Sequence, residues 1–269
     1  MRDALIRRLR EKGSVVVGFS GGVDSAVLAK LAWDALGERS LAVIVDSESY
    51  AREERDAAVA FAEELGIRHE VVWHSELADE RYAANPTDRC YFCRQGLSDV
   101  LFGLAKARGF EVVAVGTNAD DARDRFRPGD AALRERGAWQ PFLELDMTKA
   151  DVRALAAELG LPVASKPSMA CLSSRIPYGE PIDVAKLTRV GRAESWMRAR
   201  GFEQVRVRTF DGTRARVEVL PHEVARALGL RDEMAYAFGA MGYLHVEVDP
   251  RGYRTGAMNE ALEYPARPR

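Results

Sequence analysis

The sequence has few cysteines, almost no net charge and no long hydrophobic run. Three cysteines in 269 residues are too few, and odd in number, for a disulfide framework. Lysine and arginine (39) nearly balance aspartate and glutamate (41), and the net charge of −2 provides no general attraction to nucleic acid. No apolar run resembles a signal peptide or a membrane-spanning helix. We therefore expect a soluble cytoplasmic protein with neither a membrane nor a nucleic acid as partner.

The distribution of apolar residues predicts an α/β fold with a smaller second domain. In the first two-thirds of the chain, apolar runs typical of strands alternate with segments of helical spacing. The predicted strands are 14–19, 41–45, 70–73 and 111–115, and the predicted helices between them are 23–36, 51–65 and about 90–108. This order predicts a parallel sheet whose ligand-binding groups lie at the carboxyl ends of the strands. We expect this domain to span residues 1–180.

The segment Ser20-Gly21-Gly22-Val23-Asp24-Ser25 joins the first predicted strand to the helix that follows it. Its two glycines let the backbone approach an anion, and the N–H groups and dipole of the helix N-terminus favour phosphate. The spacing matches neither the Walker pattern nor the Gly-x-Gly-x-x-Gly of dinucleotide folds. It resembles the PP-loop of ATP pyrophosphatases, which join AMP to an acceptor and release pyrophosphate. The alternative is a glycine-rich turn with Ser and Asp as helix caps.

Asp46 and Gly116 follow two further predicted strands and should lie beside this loop at the same edge of the sheet. We therefore predict that ATP, with Mg²⁺ to offset the phosphate charge, binds there. The first domain is predicted to be a parallel-sheet PP-loop ATP pyrophosphatase domain (adenine nucleotide alpha hydrolase-like). The ATP-binding residues are predicted to be Ser20, Gly21, Gly22, Asp24, Ser25, Asp46 and Gly116, with Asp24 also catalytic.

From about Asp183 the pattern changes to a small α+β domain, predicted to span residues 181–269. Two strands with alternating valines flank Asp211-Gly212-Thr213. A three-residue loop there pairs Val207 with Val217 and keeps the apolar faces together, whereas a two-residue loop would scramble them. Residues 244–248 continue the alternation in a third strand.

The three cysteines, Cys90, Cys93 and Cys171, are candidates for an iron–sulfur site. Three thiolates suit three irons of a [4Fe-4S] cluster and leave the fourth iron open. Structural zinc would usually need a fourth ligand, and the chain has four histidines. Cys90-Tyr-Phe-Cys93 is equally compatible with a redox pair, and isolated cysteines are often buried as small hydrophobes.

Charged residues at two places in the smaller domain need partners. Glu194 lies within a predicted apolar helix stripe, so its carboxylate needs either a divalent cation or an arginine, unless the stripe merely drifts. Four arginines alternate along one face of the predicted hairpin: Arg206, Arg208, Arg214 and Arg216. They form either an ordinary solvated face or a site for a substrate phosphate.

With these features located, the chain resembles the LarE family of ATP-dependent sulfur transferases. The resemblance covers most of the chain, and the motif around Cys171 is the most specific to the family. It rests on Ser20–Ser25, Asp46-Ser47, Asn85-Pro86 to Cys93, Gly116-Thr117-Asn118 with Asp120-Asp121, Arg127-Pro128-Gly129, Lys166-Pro167 to Pro177, and Arg206-Val207-Arg208.

The resemblance implies a role in biosynthesis of the nickel-pincer nucleotide cofactor. The family converts the carboxylates of pyridinium-3,5-biscarboxylic acid mononucleotide to thiocarboxylates. Some members sacrifice the sulfur of one cysteine, matched here by Cys171, and others hold a [4Fe-4S] cluster on three cysteines, matched by Cys90, Cys93 and Cys171. Arg206 and Arg208 become the candidates for binding the mononucleotide phosphate. The implied partners are this small substrate and sulfide or another sulfur donor, and we expect a homo-oligomer.

Two different enzyme classes share parts of this pattern. A tRNA thiolase also combines a PP-loop with cysteines, but the net negative charge and the lack of a recognisable RNA-binding appendage count against it. An amide-forming ligase shares the PP-loop and has no use for the cysteines. A non-enzymatic ATP-binding regulator is a weaker alternative, because it would not use a site arranged for the departure of pyrophosphate.

Overall fold

The computed structural model describes residues 1–123, 129–166 and 170–254. The chain forms two compact units, one of Met1–Tyr82 and Thr87–Met169, the other of Ala83–Pro86 and Ala170–Arg269. Two motif segments noted above, Arg127-Pro128 and Pro167 to Met169, lie outside the described residues. None of the helices in the described ranges is long and apolar enough to cross a membrane.

The first unit is built on the predicted parallel sheet. Its four strands are β1 (Val15–Gly18), β2 (Ser40–Asp46), β3 (His69–Trp73) and β4 (Val112–Ala114), in the order β3-β2-β1-β4 with every pair parallel. The central strands are continuous apolar runs because helices cover both faces of the sheet. The α/β fold predicted from the sequence is confirmed.

Helices pack on both faces of this sheet. They are α1 (Arg2–Glu11), α2 (Val23–Leu36), α3 (Arg52–Glu64), α4 (Glu80–Ala83), α5 (Arg89–Arg108), α6 (Ala119–Arg123), α7 (Gly129–Glu135), α8 (Pro141–Glu144) and α9 (Lys149–Glu158). Residues of α1, α2, α3 and α9 share one core with Val15 and Val17 of β1. Val16 points to the other face and joins a second core with residues of α5 and α7. This period-2 alternation places the two helix layers on opposite sides of β1.

Up to residue 254, where the described part of the chain ends, the second unit contains a three-stranded sheet and three α-helices. The helices are α10 (Val184–Arg198), α11 (Val224–Gly229) and α12 (Arg231–Gly239), and the strands are β5 (Arg206–Phe210), β6 (Arg214–Glu218) and β7 (His245–Val248). The order is β5-β6-β7, antiparallel between β5 and β6 and parallel between β6 and β7.

The hairpin has the predicted register, with Val207 opposite Val217 and Arg208 opposite Arg216. Asp211 and Gly212 adopt φ of 51° and 65°, and this left-handed backbone closes the three-residue loop. The valines face a core of α10 and α12, which leaves Arg206 and Arg208 on the opposite face of β5.

Asn85 anchors the short segment 83–86 in the second unit. Its side-chain amide donates hydrogen bonds to the carbonyls of Pro177 (2.7 Å) and Glu180 (2.9 Å), and the side chain is fully buried. Its φ of 56° is a left-handed conformation that asparagine tolerates better than most residues. The Asn85-Pro86 motif therefore has a structural role in this unit.

Candidate active site

The loop from Ser20 to Ser25 forms a tight turn from β1 into the N-terminus of α2. Gly21 has a φ of +64°, and a Cβ atom there would lie 2.8 Å from Cβ of Ala58 in α3. The position therefore requires glycine both for its backbone conformation and for the close approach of α3. Gly22 is the N-cap of α2, so the first N–H groups of that helix follow directly after the turn.

The hydroxyl of Ser25 holds this loop in shape. It accepts a hydrogen bond from the backbone N–H of Ser20 (3.1 Å) and donates one to the carbonyl of Gly22 (3.0 Å). Tyr50 donates its own hydroxyl hydrogen to the carbonyl of Ser20 (3.0 Å). Burial raises the pKa of Tyr50, with further contributions from the carboxylates of Glu54 and Asp46, so the phenol stays protonated and remains a donor.

Asp24 lies at the centre of a polar cluster on the same edge of the sheet. Its carboxylate accepts a hydrogen bond from the side-chain amide of Asn118 (3.1 Å) and pairs with the ammonium of Lys149. Gly116, two residues beyond the end of β4, packs against α2 so closely that a Cβ atom there would lie 3.0 Å from Cβ of Asp24. The structure thus brings Asp24 and Gly116 together, as expected for the carboxyl ends of neighbouring parallel strands.

Lys149 is a member of this cluster that sequence patterns did not identify. It is the first residue of α9, which begins with a capping box between Thr148 and Asp151. Its backbone N–H donates to Asp120 (2.8 Å), so both ends of the residue are fixed. The capping box is a sequence signal for the start of this helix, but the approach of its first residue to Asp24 depends on tertiary packing.

Asp46 ends β2, at the same edge of the sheet as the loop. It forms an ion pair with Arg55 of α3 (3.0 Å), and both side chains are partly buried. Lys166 pairs with Glu54 of the same helix (2.8 Å). This edge of the first unit therefore carries Lys149 and Lys166 together with the carboxylates of Asp24, Asp46 and Glu54, near the N-terminus of α2. Such an arrangement is suited to a Mg²⁺–nucleotide complex.

The cysteines occupy two different units. Cys90 and Cys93 lie one turn apart at the start of α5 and are half-buried, whereas Cys171 is exposed in the second unit. None of them forms a disulfide. Cys93 lines a cavity of about 700 Å³, so that turn of α5 borders open space. Gly129 packs on this turn, where a Cβ atom would lie 2.9 Å from the carbonyl oxygen of Cys90.

Within the ranges that the structure describes, no group of three or more His, Cys, Asp or Glu side chains is placed to hold a metal ion. Cys90 and Cys93, three residues apart on one helix, present soft thiol ligands on a shared face, which suits an iron–sulfur cluster in donor type and spacing. The ligand chemistry fits the cluster implied by the sequence, and the joint coordination by all three cysteines stays a prediction.

Glu194 contacts arginine, one of the two partners that the sequence left open for it. The side chain is fully buried on α10. Arg175 donates two hydrogen bonds to the carboxylate of Glu194, from Nε to Oε1 (2.7 Å) and from Nη2 to Oε2 (2.9 Å). Arg198 adds a third donor (2.7 Å), and the backbone N–H of Val207 a fourth (3.1 Å). Both carboxylate oxygens are thus engaged by cationic or N–H donors, in the arrangement expected of an ion pair rather than a metal ligand.

The arginines on the hairpin face divide into two pairs. Arg206 and Arg208 are buried, while Arg214 is exposed and Arg216 half-exposed. Arg208 forms a bidentate ion pair with Glu218 (3.1 and 3.0 Å). The simple solvated face that the sequence left open is therefore wrong for the first pair, because the segment around Arg175 covers that part of the hairpin.

Burial and the neighbouring charge of Arg175 lower the pKa of Arg206 to about 10, against the opposing effect of Glu194. Arg206 also lies over the ring of Tyr253, with 5.4 Å from its guanidinium carbon to the ring centre. A guanidinium whose charged form is destabilised gains from the approach of an anion, which would restore its pKa. Arg206 is thus electrostatically suited to a phosphate group.

Comparison with known proteins places the chain among PP-loop enzymes. The sequence model of the NAD synthase family matches residues 2–85. The chain is 44% identical to an uncharacterized protein of Synechocystis sp., over 97% of this chain and 99% of that protein. It is 36% identical to the pyridinium-3,5-bisthiocarboxylic acid mononucleotide synthase of Lactiplantibacillus plantarum, over 97% of this chain and 94% of that enzyme. It is 31% identical to the tRNA-specific 2-thiouridylase MnmA of Rhizorhabdus wittichii, over 67% of this chain and 57% of that enzyme.

Proposed function

We propose a function for this chain from its family: the chain belongs to the LarE family, that of the pyridinium-3,5-bisthiocarboxylic acid mononucleotide synthase that it matches over 97% of its length. It is an ATP-dependent sulfurtransferase. Its substrate is the dicarboxylate mononucleotide that corresponds to the product named for this relative, pyridinium-3,5-biscarboxylic acid mononucleotide. The observation that supports this function most directly is the glycine turn before α2, with Asp24 held beside it by Asn118 and Lys149.

The first step is adenylation of a substrate carboxylate. A carboxylate is a poor acyl electrophile, so one of its oxygens attacks the α-phosphorus of ATP, and pyrophosphate leaves. The amides at the start of α2 and the ammonium of Lys149 stabilise the departing charge. Asp24 and Asp46 would hold Mg²⁺ at the same edge of the sheet. The remaining loop residues, Ser20, Gly21, Gly22 and Ser25, and the neighbouring Gly116 shape the ATP site.

The second step is attack of sulfur on the activated carbonyl carbon. The C–O bond to the phosphate breaks, and AMP leaves with the electron pair. Arg206 and Arg208 hold the phosphate of the mononucleotide during this step, because both are buried on one strand; Arg206 would be the direct donor, and Arg208 lies beside it, oriented by its bidentate pair with Glu218. Their position on β5 fixes one end of the substrate in the unit that carries Cys171.

Cys90, Cys93 and Cys171 are the residues that would hold a [4Fe-4S] cluster. A cluster bound by three cysteines would supply one iron without a protein ligand, as a site for the incoming sulfur. In the sacrificial route, Cys171 attacks the carbonyl itself, loses its α-proton, and its Cβ–S bond breaks to leave dehydroalanine and the thiocarboxylate. The presence of Cys90 and Cys93 on one helix face favours the cluster, because the sacrificial route needs one cysteine only.

A tRNA thiolase is the second candidate, because the chain is 31% identical to MnmA. The match spans 57% of that enzyme, against 94% of the mononucleotide synthase. The net charge of −2 also provides no general attraction to an RNA backbone. A small mononucleotide is therefore the better-supported substrate.

The test is anaerobic incubation of the purified protein with ATP, Mg²⁺, sulfide and the dicarboxylate mononucleotide. We expect pyrophosphate release that depends on the mononucleotide, and a mass increase of the substrate that corresponds to replacement of oxygen by sulfur. Parallel incubation with unmodified tRNA should release no pyrophosphate. Release that depends on tRNA and not on the mononucleotide would overturn the proposal in favour of a thiolase.

A further inference from the structure

We propose that Arg175 and Glu194 are positioning residues that hold Cys171 at a fixed distance from the arginines that bind the substrate phosphate. The inference rests on the proposed function, in which Cys171 takes part in sulfur transfer and Arg206 and Arg208 bind the mononucleotide. It assigns a purpose to the buried ion pair of Arg175 and Glu194.

The backbone of Cys171 is held although its side chain is exposed. Its carbonyl oxygen accepts hydrogen bonds from the N–H of Ser174 (3.1 Å), the hydroxyl of Ser174 (2.7 Å) and Nη1 of Arg175 (2.8 Å). The same Nη1 donates to the carbonyl of Ala170 (2.7 Å). One guanidinium nitrogen therefore fixes the two peptide carbonyls on either side of the Cα atom of Cys171.

The guanidinium that does this cannot turn. Arg175 is 1% exposed, and its Nε and Nη2 form a fork with the two oxygens of Glu194. A planar, bidentate pair of this kind fixes orientation as well as distance. Glu194 is in turn fixed by Arg198 and by the fully formed helix α10. Rotation of the Arg175 side chain would leave a desolvated carboxylate behind, so the geometry is locked.

Two separate connections join this turn to the strand of the phosphate-binding arginines. In the first, Oε1 of Glu194 accepts a hydrogen bond from the N–H of Val207, which lies between Arg206 and Arg208 on β5. In the second, Arg208 donates from Nη1 to the carbonyl of Ser174 (2.7 Å). All of these residues belong to one compact unit, so the separation between the Cys171 backbone and the start of β5 is set within that unit.

A fixed separation matters because the substrate must reach two points at once. Its phosphate is bound at Arg206 and Arg208 while its activated carbonyl meets sulfur at Cys171. A misplacement of about 1 Å can lower the rate of such a step by ~100-fold, although no reacting group is removed. Adenylation depends on the ATP site of the other unit and would not change. The ion pair should therefore control sulfur transfer and not pyrophosphate release.

The decisive variant is Arg175→Lys. Lysine retains a positive charge opposite Glu194, but one ammonium cannot bond to both oxygens of Glu194 and to the carbonyls of Ala170 and Cys171 together. We expect thiocarboxylate formation to fall by ~100-fold, with pyrophosphate release at the wild-type rate. Amide hydrogen exchange in residues 171–176, measured by mass spectrometry, should become faster. This second readout does not depend on the sulfur carrier.

Arg216→Ala is the matched control, because it removes an arginine of the same unit whose ion pair, with Glu247 (2.6 Å), is not part of the Arg175–Glu194 network. We expect wild-type sulfur transfer and wild-type exchange in residues 171–176. Ser174→Ala is a smaller change, since it removes only one hydroxyl, which donates to the Cys171 carbonyl and accepts from Nη1 of Arg175 (2.9 Å). It should lower sulfur transfer alone, by a smaller factor. It also replaces Arg175→Lys as the deciding variant if the lysine protein does not fold.

A folded Arg175→Lys protein that forms thiocarboxylate at the wild-type rate would overturn the inference. The same holds for Ser174→Ala where it is the deciding variant. Loss of pyrophosphate release together with sulfur transfer would also overturn it, because it would indicate general damage. A wild-type protein that releases no pyrophosphate with the mononucleotide would refute the proposed function instead, so the two failures are distinguishable.

Discussion

Replacement of Glu194 by alanine should destabilise the second unit far more than loss of an exposed ion pair. The variant leaves the guanidinium of Arg175, 1% exposed, without the carboxylate that binds two of its nitrogens. Removing one partner of a buried pair costs about 3–5 kcal/mol, because the remaining charge stays desolvated. An exposed pair such as Arg214–Asp211 contributes about 0–1 kcal/mol. The two classes of pair are therefore well separated in expected effect.

Urea denaturation measures this difference. With a denaturant slope of about 1–3 kcal/mol/M, a loss of 3 kcal/mol moves the midpoint down by at least about 1 M. The transition should be followed by hydrogen exchange of peptides from α10 and β5, because a chain of two units need not unfold in one step. Arg214→Ala is the control. Equal midpoints for Glu194→Ala and Arg214→Ala would refute the reasoning.

The same pair predicts how stability varies with pH. Burial alone would raise the pKa of Glu194, but the charge and hydrogen bonds of Arg175, with Arg206 and Arg198, lower it overall. The folded state therefore releases this proton at lower pH than the unfolded chain does. The stability that Glu194 contributes is complete above the ordinary carboxyl pKa of about 4.3 and is lost as the pH falls through the pKa of Glu194 in the folded protein.

A double replacement, Arg175→Met with Glu194→Leu, should remove this pH dependence and recover much of the stability, since apolar residues of similar volume replace both charges. If the double variant is no more stable than Glu194→Ala, the stranded charge is not the cause.

Three further predictions concern the reaction. Asp24→Ala should abolish pyrophosphate release, while Asp34→Ala, which removes an ion pair with Lys30 in the same helix, should not; equal rates would exclude Asp24 from the ATP site. Arg206→Met should weaken mononucleotide binding about ten- to hundredfold without changing ATP affinity, because a charge-assisted contact of about 1.5–3 kcal/mol is lost. Arg216→Met on the same hairpin face is its control, and equal losses of affinity for ATP and the mononucleotide would indicate a folding role for Arg206. Replacing any one of the three cysteines by alanine should remove iron and sulfur transfer but not adenylation, whereas dehydroalanine at Cys171 of an active, iron-free wild-type protein would establish the sacrificial route.

The hairpin shows how far periodicity can predict this site. Alternation of valine and arginine was enough to predict the register, because a shift of one residue would expose the valines. The same alternation places Arg206 and Arg214 on one face and cannot tell them apart. The structure separates them, since Arg206 is 3% exposed and Arg214 is exposed. The difference comes from the segment at Arg175, which is distant in sequence and has no regular period of its own.

For the buried ion pair of Arg175 and Glu194, the sequence indicates only one of the two partners. Glu194 interrupts an apolar stripe on a helix of 15 residues, and a carboxylate at such a position requires a partner. Arg175 lies 19 residues earlier in an irregular stretch, where neither helical nor strand spacing indicates burial. A charged residue in the apolar stripe of a helix therefore predicts that an oppositely charged partner exists. Which residue is that partner depends on which irregular segment packs against the helix. In this protein the segment of Arg175 also carries Cys171. The contact between Arg175 and Glu194, which local sequence patterns could not predict, is therefore the one that connects Cys171 to the phosphate-binding strand.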